Sequence, residues 1–278
     1  MSSTVSTETS TAPDAGVKVA IVQHDIVWED AAATCAHVRP LIARAAGQGA
    51  RLIVLPEMFA TGFSMRPERI AEPEGGPAER FLLAQAAEHG AHLIASIAQR
   101  GADGAYRNNA FIAAPDGTVR RYAKIHPFSY AGEHEHYAAG TEFCTVRIGG
   151  LNVTVFVCYD LRFADEFWQL ARGTDVYVVP ANWPVQRAGH WTALLRARAI
   201  ENQAYVIGVN RVGSEPDRPE LGERGASSGA SYSGDSAVID PSGTVLAAPD
   251  GEQVAIAQVS AAEVARVRAR FPFLADRR

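Results

Sequence analysis

Hydrophobic and polar positions change period repeatedly along this chain. Short apolar runs rich in β-branched residues occur at 17–23, 52–55, 92–98, 151–157, 176–180, 204–210 and 254–259. Runs of that length and composition predict buried strands. Between them, apolar residues recur at helical spacing over 30–46, 77–89, 164–172, 188–202 and 261–270, which predicts helices packed by one face. The first of these stops at Gly47 and Gly49, and Pro40 inside it is expected to kink or shift it. Segments 106–113 and 118–125 flank Pro115-Asp116-Gly117, and 236–239 and 245–247 flank Asp240-Pro241-Ser242-Gly243; both pairs read as hairpins. Residues 213–234, rich in Gly, Ser, Pro and charge, read as a long surface loop. Strand–helix alternation with added hairpins predicts an α/β protein and leaves the sheet arrangement open.

Composition narrows the function classes. The chain has 278 residues, 47% of them hydrophobic, enough for a large core. A net charge of −5 and the lack of a basic stripe argue against nucleic acid, and no apolar run is long enough to span a membrane. Residues 1–16 are Ser/Thr-rich without a hydrophobic stretch, so a disordered tail is expected rather than a secretory signal. One domain is expected over 17–273, with a C-terminal tail at 274–278. Three widely spaced cysteines, Cys35, Cys144 and Cys158, suggest reduced thiols in the cytoplasm. Cys35 falls in a helical run and Cys144 in a turn region after Gly140. No Cys/His spacing suggests zinc, and no cofactor is expected.

Candidate chemistry gathers at three strand ends. Cys158 closes the run Leu151-Asn152-Val153-Thr154-Val155-Phe156-Val157. Carboxyl ends of inner strands are where sheet proteins place reactive groups, although a lone Cys is more often a small core residue. Glu57 ends Leu52-Ile53-Val54-Leu55-Pro56. Lys124 lies in Arg121-Tyr122-Ala123-Lys124-Ile125-His126-Pro127-Phe128, and Lys18 is the only other lysine in a chain that otherwise uses Arg. Lys supplies a compact ammonium that Arg cannot imitate. Alone, Glu57 reads as a hydrated strand-end carboxylate and Lys124 as a snorkelling surface residue. Together, the three residues repeat one placement, where a strand gives way to a loop.

Pro56-Glu57-Met58-Phe59, Lys124-Ile125-His126-Pro127-Phe128 and Cys158-Tyr159-Asp160-Leu161-Arg162-Phe163 resemble, in order and type, the Glu–Lys–Cys signature of the nitrilase superfamily of carbon–nitrogen hydrolases. Thr61-Gly62-Phe63-Ser64-Met65, Gly132-Glu133-His134-Glu135-His136-Tyr137, Ala181-Asn182-Trp183-Pro184, Arg196-Ala197-Arg198-Ala199-Ile200-Glu201-Asn202-Gln203 and Tyr232-Ser233-Gly234-Asp235-Ser236 resemble its omega-amidase branch. The resemblance implies a four-layer α-β-β-α sandwich and a homodimer formed through the layer containing 188–202, with Arg196 and Arg198 on the contact surface. It implies Cys158 as nucleophile, Glu57 as proton carrier, and Lys124 with the backbone N–H of Tyr159 as oxyanion donors. Glu133 is the further carboxylate near the thiol, orienting Lys124 or the substrate. A cation beside the thiol is expected to lower its pKa. Phe63, Phe128, Tyr159 and Trp183 flank these positions and suggest an aromatic wall, with Asn182 beside them. The implied substrate is the omega-amide of a 2-oxo dicarboxylic acid, 2-oxoglutaramate or 2-oxosuccinamate. A nitrilase, an N-carbamoyl amidohydrolase or a silent ligand-binding relative would share the signature. No residue can be named for the substrate's carboxylate.

Other patterns carry less. Gly225-Ala226-Ser227-Ser228-Gly229 fits G-x-S-x-G but lacks the strand and helix that a serine elbow needs. Glu133-His134-Glu135-His136 is not H-E-x-x-H. Asp160 and Arg162 are expected to fix the turn after Cys158 through a local ion pair or backbone ties. Arg266, Arg268 and Arg270 suit the end of the last helix.

Overall fold

The computed structural model describes residues 16–217 and 229–277. Residues 1–15 of the expected 1–16 tail and most of the Gly225–Gly229 pattern lie outside the described residues.

Two sheets form the centre. The first contains β1 (Val17–Gln23), β2 (Leu52–Val54), β3 (Glu72–Pro73), β4 (His92–Arg100), β5 (Tyr106–Ala113), β6 (Val119–Ala123) and β15 (Gln253–Val259). Its order is β15-β1-β2-β4-β5-β6, with β3 beside β4. The second contains β7 (Cys144–Ile148), β8 (Leu151–Val155), β9 (Val176–Ala181), β10 (Tyr205–Asn210), β13 (Ala237–Ile239) and β14 (Val245–Ala247), ordered β14-β13-β10-β9-β8-β7. Each sheet has three parallel inner strands, β1-β2-β4 and β8-β9-β10, bordered by antiparallel ones. β11 (Val212–Ser214) and β12 (Ser231–Ser233) form a separate antiparallel ribbon.

Alternation along the strands builds the layers. Val17, Val19 and Ile21 of β1 point at the second sheet and join Val153, Val155, Val178 and Ile207 in one core. Ala20 and Val22 point the other way, onto Val38 and Ile42 of α1 (Ala31–Gly47) and Leu82 of α3 (Pro77–His89). Beyond the second sheet lie α5 (Ala164–Leu170) and α6 (Ala188–Asn202), which bury Phe167, Trp191 and Leu195. The result is a four-layer α-β-β-α sandwich. Short helices α2 (Pro67–Ile70) and α4 (Glu133–His136) lie in the loops, and α7 (Ala261–Arg270) follows β15. Among the described residues no helix is long and apolar enough to cross a membrane.

α1 continues through Pro40 without a break, and Pro40 is exposed, so the carbonyl it leaves free can face water; this does not bear on the expected kink. Several expectations need correction. Cys144 begins an edge strand rather than a turn; β7 is only half-buried, so its apolar signal is weak. Both ends of the expected 213–234 loop carry ribbon strands. Arg198 is buried: its guanidinium donates to the Leu161 carbonyl at 3.1 and 2.8 Å, and it pins α6 to the turn after Cys158 instead of facing outwards. The expected C-terminal tail is docked as far as Arg277, with Leu274 buried and Arg277 over the Trp168 ring at 4.0 Å.

Candidate active site

The seam between the two sheets ends in a cluster of charge. β8 stops at Val155, and Cys158 opens a 3-10 turn, Cys158–Arg162, with φ at +46°. Left-handed backbone is costly for a residue with a Cβ, so the turn must be held from outside. Asp160 holds it. One carboxylate oxygen accepts from the Val157 N–H at 2.9 Å and the Tyr122 hydroxyl at 2.8 Å; the other accepts from the His126 backbone N–H at 2.9 Å and lies 3.0 Å from His126 Nδ1. Asp160 therefore ties the cysteine turn to the loop after β6. The ion pair considered between Asp160 and Arg162 does not form; Arg162 turns to the pocket.

Lys124 leaves β6 and points into the seam. Its ammonium donates at 2.8 Å to Glu57 Oε1 and at 2.8 Å to Glu133 Oε2. Lys124 is 1% exposed and both carboxylates 0%. Glu57 follows β2 on backbone still tied to β4, through Leu55 N–H to the Ile94 carbonyl and Phe59 N–H to the Ser96 carbonyl. Its other oxygen accepts from the Asn182 N–H at 2.9 Å, which joins it to the end of β9 in the opposite sheet. Glu133 opens α4 and also accepts from the Phe128 N–H at 2.5 Å. His134 and His136 of that helix are exposed. Cys158 Sγ lies 3.9 Å from the Asn182 carbonyl oxygen.

The electrostatics follow from burial. Burial pushes the Cys158 thiol well above its ordinary value, and the Glu57 charge adds to this; the Lys124 ammonium pulls the other way and is outweighed. The lowering expected from Lys124 is present, but burial and the Glu57 charge outweigh it. Burial acts to lower the Lys124 pKa, but Glu133 and Glu57 overcome it and keep the ammonium charged. Burial raises the Glu133 pKa against the pull of Lys124.

A cleft opens over Cys158. Phe63, Phe128, Tyr159, Trp183 and Tyr232 wall it, and Asn182 lies at its floor. The Phe128 and Tyr159 rings are 4.7 Å apart. The structure thus gathers Glu57, Lys124, Cys158 and Glu133 into one centre and sets Phe63, Phe128, Tyr159, Asn182 and Trp183 around it. Sequence reasoning missed Asn108, whose amide bridges Glu57 at 2.7 Å and Glu133 at 3.1 Å. Asn108 is in phase with Ala110 and Ile112, which face the seam, so the two-residue period could have exposed it. It also passed over Arg162, Arg187 and Tyr232 as pocket residues.

The chain resembles known proteins along most of its length. The carbon–nitrogen hydrolase family profile matches residues 18–269. The chain is 39% identical to omega-amidase YafV of Yersinia enterocolitica over 263 residues, 94% of this chain and 96% of that one. It is 34% identical to 2-oxoglutaramate amidase of Bacillus subtilis, covering 82% and 85% of the two chains. Among solved structures it resembles XC1258 of Xanthomonas campestris, a CN-hydrolase superfamily protein with an arsenic adduct in its active site. That likeness has a TM-score of 0.85, 37% identity, and coverage of 95% of this chain and 97% of the other. Sequence, fold and relatives agree across the whole sandwich: the chain belongs to the carbon–nitrogen hydrolase family and is an amidase of the nitrilase superfamily.

Proposed function

We propose that this amidase hydrolyses the terminal carboxamide of a 2-oxo dicarboxylic acid omega-amide, 2-oxoglutaramate or 2-oxosuccinamate, through a Cys158 acyl-enzyme. The observation that carries the mechanism is the dry ammonium of Lys124 held between Glu57 and Glu133 beside the thiol. The substrate class is supported by relatives named omega-amidase and 2-oxoglutaramate amidase.

Because the resting sulfur is neutral, its proton leaves as it attacks. Glu57 accepts that proton while Cys158 Sγ bonds to the amide carbon. Lys124 and the backbone N–H of Tyr159 receive the tetrahedral oxyanion; one such donor contributes about 2.7–4 kcal/mol. Glu57 returns the proton to the amide nitrogen and ammonia departs, leaving a thioester. Water then attacks with Glu57 as base, and the dicarboxylate is released with the thiol restored. Glu133 and Asn108 keep Lys124 and Glu57 in place and do not exchange protons with substrate. The same reading includes a homodimer that meets through the α5–α6 layer.

Ammonia release from 2-oxoglutaramate, glutamine, asparagine, a carbamoyl amino acid and a simple nitrile tests the proposal. The oxo-acid amide is expected to lead by about tenfold in kcat/KM, some 1.4 kcal/mol of transition-state preference, and Cys158→Ala to abolish turnover. A lead for the nitrile or the carbamoyl compound rejects the substrate class. Normal turnover by Cys158→Ala rejects the mechanism.

A further inference from the structure

We infer that Arg162 and Arg187 form the seat for the substrate's carboxylate and so set the preference for amides that carry a distal negative charge. The inference rests on the amidase reading and extends it to the recognition of one chemical group.

Both side chains line the cleft over Cys158. Each is held by the face of an aromatic ring, Arg162 over Trp183 at 4.7 Å and Arg187 over Phe128 at 5.5 Å. A ring beneath the guanidinium takes up none of its N–H donors as a hydrogen-bond partner would, and those donors match a carboxylate. Arg66 pairs with Glu29, Arg121 with Glu79, Arg198 with Glu201 and Arg211 with Asp25. Among the described residues neither Arg162 nor Arg187 has a carboxylate partner; Arg162 reaches only His190 Nδ1, at 3.4 Å.

Charge supplies the second reason. The centre beneath the cleft sets two carboxylates, Glu57 and Glu133, against one ammonium, Lys124. In a chain with a net charge of −5, that centre repels an anionic substrate. Two cations at the rim reverse the local sign where an anion would enter, while the amide end reaches Cys158. A neutral amide needs neither arginine.

The test compares kcat/KM for ammonia release from 2-oxoglutaramate and from pentanamide, a neutral amide with the same number of carbons. Wild type, Arg162→Gln, Arg187→Gln and the double variant are measured, with melting curves to verify folding. Each single variant is expected to reduce the charged-over-neutral ratio by about tenfold or more, chiefly through KM for the oxo-acid amide, and the double variant to remove the preference. Arg162→Lys should recover part of the ratio. Binding of 2-oxoglutarate, followed by calorimetry, should weaken in the same order. An unchanged ratio in both single variants, or equal losses on both amides, overturns the seat. If wild type hydrolyses neither amide, the amidase reading fails, and the seat is then judged by calorimetry alone: unaltered 2-oxoglutarate binding in the variants rejects it.

Discussion

Lys124 is the residue on which catalysis and stability meet. Lys124→Ala would leave Glu57 and Glu133 facing each other in a dry seam, and breaking a buried ion cluster in this way costs about 3–5 kcal/mol. A markedly lower melting temperature is expected along with lost turnover. Lys124→Arg keeps the charge but forces a larger planar group into a filled site, at about 1–3 kcal/mol; its ammonia release should be close to zero while circular dichroism still shows a folded protein. Near-normal activity in that variant would remove Lys124 from the reaction. Cys158 gives a different prediction, because its φ of +46° reverses the usual order of small residues. Glycine is ordinarily worse than alanine by about 0.5–1 kcal/mol in regular structure. Here Cys158→Gly should melt no lower than Cys158→Ala, and both should be inactive. A clear advantage for alanine would show that the turn stores no strain. The raised thiol pKa adds a kinetic test: alkylation of Cys158 in the free enzyme should quicken about tenfold per pH unit between about pH 7 and 9. A plateau near neutrality would reveal a preformed thiolate. Cys35, pushed up to about 12 by burial, should not compete.

At the level of elements, the hub is the turn after Cys158 together with the loop after β6. His126 lies between Asp160 and Glu166, 3.0 and 3.2 Å away, with its ring stacked on Phe163 at 3.6 Å. Burial acts to lower its pKa, but the two carboxylates outweigh this and raise it. A histidine whose folded pKa is raised contributes fully below its unfolded value of about 6.5 and loses that contribution as pH climbs through the folded value. The gap in melting temperature between wild type and His126→Ala should therefore shrink from pH 5.5 to pH 8.5; a constant gap would mean that the ion pair adds nothing. Much of this architecture was legible in advance. Inner strands announced themselves by continuous β-branched runs, and Glu57, Lys124 and Cys158 by sitting where three strand segments, two of them inner and one at a sheet edge, give way to loops. Edge strand β7 was missed because half-burial dilutes its pattern. Arg187 could not be found, since its place depends on a short 3-10 turn, Val185–Arg187, that no local period encodes. Nor could the cleft as a whole, because it is assembled from segments around residues 63, 128, 159, 183 and 232 that only the packed sheets bring together.

For the whole molecule, the outer α5–α6 layer leaves Trp168 and Ile200 exposed at 36% and 46%. A two-fold dimer formed through that layer would cover them, and closed dimers are the commonest assembly. Light scattering at micromolar concentration should give about twice the chain mass of 29.7 kDa; a monomer mass would reject the pairing. The division between seam and rim has a further consequence. The groups proposed to make and break bonds are dry and anchored to both sheets, whereas Arg162 and Arg187 are half-exposed on turns at the mouth. Changes at surface positions usually fall within about 0.5 kcal/mol, while changes to a buried charge network cost several. Natural selection can therefore explore new substrates by altering the rim without endangering the fold, and descendants of this chain should diverge in diet long before they diverge in chemistry.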